Sequence, residues 1–258
     1  LAIESIERTA IEVGGTSPYV EQPDRAEWEK FWDQVLTQQV DETSNALIGT
    51  AYASTSTWHI ANKQLEGYDW WRVEGLAMVL RYLAFHDNTW RAQHTLLQVP
   101  ANPSEPDPSK FQRVPVLEFG FTALAGSTSL TTEGFIDAAW LSTSGDYPTA
   151  ALEIIDYKSG KSAPTEHFQL VEYGEVIRRY LPPNFALPIK GRYWLARRGE
   201  YTAPVTLDKA AATPEIDYRY TMADRRVRAG IFEPSSSNFC SSCSSVDYCP
   251  AQSMRDAS

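Results

Sequence analysis

Apolar positions recur at helical spacing through the first third of the chain. Residues 26–40 set Trp28, Phe31, Trp32, Val35 and Leu36 on one face between acids and amides, which predicts an amphipathic helix. A second helix is expected over 46–63. A third runs from about 69 to 86, with Trp71, Leu76, Val79, Leu80, Leu83 and Ala84 as its buried stripe. Near Arg91 the pattern changes, and 92–99 reads as a strand. Pro100, Pro103, Pro106 and Pro108 then exclude both helix and central strand over 100–110. Strands follow at Val114 to Thr122, Thr131 to Leu141 and Ala151 to Tyr157. The last holds Leu152, Ile154 and Ile155, apolar enough for the interior of a sheet. A helix over 166–181 is closed by Pro182 and Pro183. Next comes a strand at 191–197, in which Tyr193, Leu195 and Arg197 alternate with Trp194 and Ala196. Pro214 and Glu215 open a last helix reaching about Ala229. Helices, strands, helix, strand, helix predict a mixed α/β domain whose central sheet is covered by helices.

With 258 residues, the chain has room for one catalytic domain and a small appendage. Its 43% hydrophobic content excludes a disordered or collagen-like chain. No window approaches 18 uninterrupted apolar residues, so no membrane span is expected. No secretory pattern is visible, and the start at Leu1 reads as a missing N-terminal segment. The net charge of −10 is uneven. Residues 1–157 carry −13 and residues 158–230 carry +5, which is compatible with an acidic body bearing a local phosphate-binding surface.

The stretch 118–173 carries the chemistry. Gly134-Phe135-Ile136-Asp137 puts a carboxylate on a strand, and Asp156-Tyr157-Lys158 follows at the end of an apolar strand. Alternation sets Asp156 and Lys158 on one side with Tyr157 on the other. If the two strands are neighbours, Asp137 and Asp156 can share a divalent ion. Paired carboxylates repel unless a cation lies between them, and oxygen ligands suit Mg²⁺ or Mn²⁺. Lys158 beside them can address a phosphate or an attacking water, as metal-assisted phosphodiester hydrolysis requires. Gln169 and Tyr173, four apart, share a face of the next helix.

Gly134-x-x-Asp137, Asp156-x-Lys158-Ser159-Gly160 and Gln169-x-x-x-Tyr173 together resemble the signature of the PD-(D/E)xK nuclease superfamily. They are most similar to its RecB-like exonuclease branch, with helicase–nuclease, CRISPR-associated and phage members. The resemblance implies a restriction-endonuclease-like mixed sheet flanked by helices. It makes Asp137 and Asp156 ligands of Mg²⁺ or Mn²⁺, Lys158 the group that positions or activates water, and Gln169 and Tyr173 contacts to DNA or supports of the site. It also implies an upstream glutamate, for which Glu118 is the match and Gln98 the competitor. A metal-binding His is expected four residues after a Gly in an early helix. That register from Gly49 falls on Ala53, so His59 is the candidate only if the helix is displaced.

Cys240, Cys243 and Cys249 are the only cysteines and lie within ten residues, which suits metal or iron–sulphur ligation in a reducing, cytoplasmic compartment. Their spacing alone leaves zinc and an Fe–S cluster open. The resemblance implies a structural [4Fe–4S] cluster whose fourth cysteine lies far upstream; no upstream Cys is present in these 258 residues, so the fourth ligand either precedes Leu1 or is not a cysteine, with zinc as the alternative to the cluster. The expected domains are a helical subdomain over 1–90, a nuclease core over 91–231 and a cluster-binding tail over 232–258. Arg178, Arg179, Lys190, Arg192, Arg197, Arg198, Arg225, Arg226 and Arg228 are candidates for a phosphate track. The activity implied is a divalent-metal-dependent deoxyribonuclease acting exonucleolytically on single-stranded DNA or DNA ends, in repair or recombination. The alternative is a catalytically weak, metal-stabilised DNA-binding subunit. No Walker-type phosphate loop is present, so a helicase would act as a separate partner.

Overall fold

The sheet forms around the two strands whose buried positions are most continuous, β5 (Thr131–Ser142) and β6 (Leu152–Lys158). The computed structural model describes residues 29–38, 70–102, 112–124, 130–142, 150–160, 162–207 and 209–231. Helix α1 covers 29–38. Helix α2 (Leu76–Phe85) lies between two wider π-type turns, Trp71–Gly75 and His86–Trp90. The strands β1 (His94–Leu96), β2 (Gln98–Pro100), β3 (Arg113–Pro115) and β4 (Leu117–Leu124) precede β5 and β6. Then come α3 (Phe168–Arg178), β7 (Ile189–Leu195), β8 (Glu200–Tyr201), β9 (Val205–Thr206) and α4 (Lys209–Arg228).

The seven-stranded sheet runs β1-β5-β6-β7-β8, with β4 also on β5 and β9 also on β7, while β2 and β3 form a separate ribbon. Every pair is antiparallel except β6–β7. Parallel neighbours need a crossover, and α3 supplies it. Leu170, Tyr173, Val176 and Ile177 of α3 pack on Leu152 and Ile154 of β6 and Tyr193 and Leu195 of β7. Gly191 permits that closeness, since a Cβ there would lie 2.9 Å from Leu170. The other layer is aromatic. Tyr82, Trp90, Trp140 and Trp194 surround Ile155 and Ala138, and His86 stacks on Tyr82 at 3.8 Å. Burial holds His86 well below the ordinary histidine range, so it is neutral there, and its Nε2 hydrogen-bonds the Tyr201 hydroxyl. Phe31, Trp32 and Val35 of α1 pack on Leu76, Val79 and Leu83 of α2. The Trp32 indole lies against Gly75, where a Cβ would clash at 2.1 Å. Among the described residues no helix is long and apolar enough to cross a membrane.

The mixed sheet flanked by helices is the expected architecture. Several details differ. The strand expected over 92–99 is two strands, because Leu97 hands the chain from one sheet to the other: its amide donates to Ala139 and its carbonyl accepts from Val116. Ala84 is exposed, whereas Met78, Tyr82 and His86 are buried. The π-type turns widen the helical period and rotate the stripe. Helix α4 begins at Lys209, ahead of Pro214, which lies inside it. β7 ends at Leu195, so Arg197 lies on a turn, outside any strand alternation. The helix expected over 46–63, most of the 100–110 loop and the tail from 232 fall outside the described residues.

Candidate active site

β5 and β6 part at a fork. Their ladder runs from Leu141↔Leu152 to Ala138↔Ile155. Beyond it, β5 stays with β4 as far as Leu124↔Thr131, and β6 stays with β7 as far as Lys158↔Leu195. One further step of the β5–β6 register sets Asp137 opposite Asp156. The Tyr157 amide, past the end of that ladder, donates to Asp137 Oδ2 at 2.7 Å. On the other edge of β5, the pairs Leu117↔Ala138 and Phe119↔Ile136 set Glu118 across from Asp137, and Asp156 pairs with Tyr193 on β7. Glu118, Asp137, Asp156 and Tyr193 thus form one row across four strands.

The backbone is irregular at the end of this row. Glu118 has φ +42°, in the left-handed region that a residue with a Cβ rarely adopts. Leu117 packs into the aromatic layer, whereas Phe119 packs on the α3 side; Ala138 and Ile136 of β5 divide the same way. The β4–β5 hairpin therefore turns over at Glu118 and Asp137. Strained backbone of this kind clusters at functional sites.

Asp156 is 2% exposed. Its Oδ2 lies 2.7 Å from Lys158 Nζ, which also donates to Gln169 Oε1 at 3.1 Å. Gln169 Nε2 in turn donates to the Tyr173 hydroxyl at 2.7 Å. One ion pair and two hydrogen bonds thus make a continuous line from the β6 carboxylate to the middle of α3. Burial is the largest influence on Asp156 and pushes its carboxyl up to about 7; Lys158 pulls the other way, and the Asp137 carboxyl adds to the rise. Burial pushes the Tyr173 hydroxyl up to about 12, with Asp137 and Asp156 adding to it, and Tyr193 likewise, with Asp156 adding to it. Both hydroxyls are therefore neutral near the carboxylates.

Asp137 and Asp156 are all-oxygen donors, one of them nearly dry, and burial and the neighbouring Asp137 together oppose ionisation of Asp156. That environment fits a hard divalent cation. Among the described residues no three of His, Cys, Asp and Glu gather closely enough to cage an ion, so Glu118, although in the row, does not close up with the pair. Mg²⁺ commonly takes one or two carboxylates and completes its shell with waters and substrate phosphates. Gln98 is exposed on the β2–β3 ribbon, outside the row. His59 and the three cysteines lie outside the described residues.

The sequence profile of the PD-(D/E)XK nuclease superfamily matches residues 19–250, spanning helix, fork and crossover alike. The chain belongs to that superfamily. A search of curated proteins finds no match to it. The fold is the restriction-endonuclease-like one, and the Gly134-x-x-Asp137 and Asp156-x-Lys158 segments of this nuclease domain are the ones that meet at the fork.

Two neighbours of the site were missed in the sequence. Tyr193 is one residue of the row, and Lys158 Nζ stands 5.9 Å from its ring centre. His167 Nδ1 approaches the Tyr193 hydroxyl at 3.4 Å. Tyr193 follows only from the register of the parallel β6–β7 pair and His167 from the packing of the crossover helix onto β7, neither of which a local pattern announces. Several candidate phosphate contacts are engaged with protein groups: Arg178 with Glu175, Arg179 with the Leu124 carbonyl, Arg192 with buried Glu153, Arg198 with Glu200 and Arg228 with Asp224. Arg197 donates to the Ser159 carbonyl.

Proposed function

We propose that this protein is a divalent-metal-dependent deoxyribonuclease that hydrolyses phosphodiester bonds, acting as an exonuclease on single-stranded DNA or DNA ends. The observation that carries the reading is the fork, where Asp137 and Asp156 stand opposite each other and Lys158 Nζ bridges Asp156 and Gln169. Asp137 and Asp156 would hold Mg²⁺ or Mn²⁺. The cation would supply Lewis-acid polarisation of the scissile phosphate and acidify a bound water.

The chain's own groups do the rest. The Tyr157 amide fixes the rotamer of Asp137. The Lys158 ammonium lies 2.7 Å from Asp156 Oδ2 and is itself partly exposed, where it can orient a water or offset charge on the phosphate. Gln169 holds Lys158 from α3, and Tyr173 holds Gln169. Glu118 stands in line as a further acidic group, and His59 remains the candidate for an additional ligand. The structural role we assign to Cys240, Cys243 and Cys249 is a [4Fe–4S] cluster, or zinc in its place, tying a tail poor in apolar residues to the core. The domains we propose are 1–90, 91–231 and 232–258. A helicase would be a partner in trans.

The rival reading is a catalytically weak DNA-binding subunit, favoured by the lack of a third clustered ligand among the described residues. Cleavage of single-stranded and duplex DNA in Mg²⁺ or Mn²⁺, run beside Asp156→Ala, decides between them. Loss of cleavage with DNA binding retained supports the nuclease. Equal activity in wild type and variant overturns it.

A further inference from the structure

Lys158 is the last residue of β6, and the chain leaves the sheet immediately after it through exposed Ser159 and Gly160. Strand ends open more readily than strand centres. An ammonium on a four-carbon stem keeps its aim only if the backbone beneath it is fixed. On its carbonyl side two bonds hold it, both from the turn that follows β7. The Ala196 amide donates to the Lys158 carbonyl at 3.0 Å, and Arg197 Nε donates to the next carbonyl, Ser159, at 2.7 Å. Any non-proline residue could make the first bond. The second needs a side chain with a donor at that reach.

The guanidinium is itself held. It lies over Trp70 at 4.6 Å from the ring centre and 5.9 Å from that of Trp71, two rings packed edge to face at 5.0 Å. A guanidinium, planar by its own delocalisation, is attracted to the face of an indole ring. The Trp71 carbonyl accepts from Trp32 of α1, and Arg81 of α2 donates to the Arg197 carbonyl at 3.2 Å. The turn is thus tied to the helices from both its side chain and its backbone.

We propose that Arg197 is a positioning residue for Lys158, a clamp that links the tryptophan pair ahead of α2 to the end of the strand carrying Asp156 and Lys158. It rests on the nuclease reading above for its kinetic consequence but not for its structural one. It also takes Arg197 out of the phosphate track: an anchor for DNA would show in affinity, a clamp in turnover.

The test is Arg197→Ala, with Arg197→Lys as a second variant should the alanine protein fail to fold. In the full chain with Mn²⁺, kcat on DNA is expected to fall about tenfold at temperatures well below unfolding. DNA affinity in Ca²⁺ should stay within about twofold. Independently of activity, hydrogen exchange at the Ala196 amide should speed up about tenfold while the centre of β7 stays protected. A loss of DNA affinity with kcat retained would make Arg197 a phosphate contact and overturn the proposal, as would unchanged exchange at Ala196. If wild type and Asp156→Ala cleave alike, the nuclease reading falls, and the exchange measurement alone still decides whether Arg197 holds the strand end.

Discussion

Replacing Asp156 by asparagine keeps the shape of the side chain and removes a charge that burial opposes. Folded, Asp156 binds its proton up to about pH 7; unfolded, only to its ordinary 3.8. Folding therefore takes up a proton between those values, and stability falls as pH rises through the window. A rise of about three units corresponds to roughly 4 kcal/mol over the whole titration, of which about 2.5 kcal/mol falls between pH 5 and 8. Urea unfolding in EDTA at pH 5 and pH 8 measures it, with Asp156→Asn as the reference in which other titrating groups cancel. Wild type should lose about 2.5 kcal/mol more than the variant across that range, and the variant should be the more stable protein at pH 8 while cleaving no DNA. Parallel pH slopes in the two proteins would refute the argument that burial of an ionised Asp156 is costly and is relieved by a cation.

The same reasoning predicts that excess Mn²⁺ raises the Tm of wild type more at pH 8 than at pH 5.5, because binding must displace the Asp156 proton at the lower pH; Asp156→Ala should abolish the shift. Gly191→Ala drives a Cβ to 2.9 Å from the Leu170 side chain and should cost about 1–3 kcal/mol in denaturant unfolding, with some loss of cleavage because α3 carries Gln169 and Tyr173. Tyr173→Phe deletes the acceptor of the Gln169 amide, and a kcat loss of roughly 2- to 12-fold is expected from one hydrogen bond. An unchanged kcat would show that Gln169 keeps its place through Lys158 alone.

How much of this was legible in the sequence depended on whether the cause was local. Asp156-x-Lys158 could be assigned to one face because alternation in a strand is a property of the strand itself, and the Lys158–Asp156 contact at 2.7 Å agrees with it. Gln169 and Tyr173 could be paired because one helical turn separates them, and they hydrogen-bond. The helix over 168–178 and the strand at 152–158 were readable from flanking prolines and apolar density. What could not be read was register. Asp137 meets Asp156 because the β5–β6 ladder closes on Ala138↔Ile155, not one residue away, and a slip of one would have turned the carboxylates to opposite faces. Tyr193 joins the row through the parallel register set by α3, a crossover whose length constrains but does not fix the pairing. Arg197 was misread for the same reason: strand alternation was extended two residues past the point where β7 ends, and the turn gives its side chain to Ser159 and the tryptophans. The basic segment shows the limit of reading charge without partners. Its net +5 over 158–230 invites a phosphate track, yet Arg178, Arg192 and Arg228 are each within 2.8 Å of a carboxylate. A cation already paired gains little from a phosphate, because binding must first break the existing pair. The surface that meets DNA is therefore smaller than the arginine count suggests, and its affinity should depend on salt with a correspondingly shallow slope.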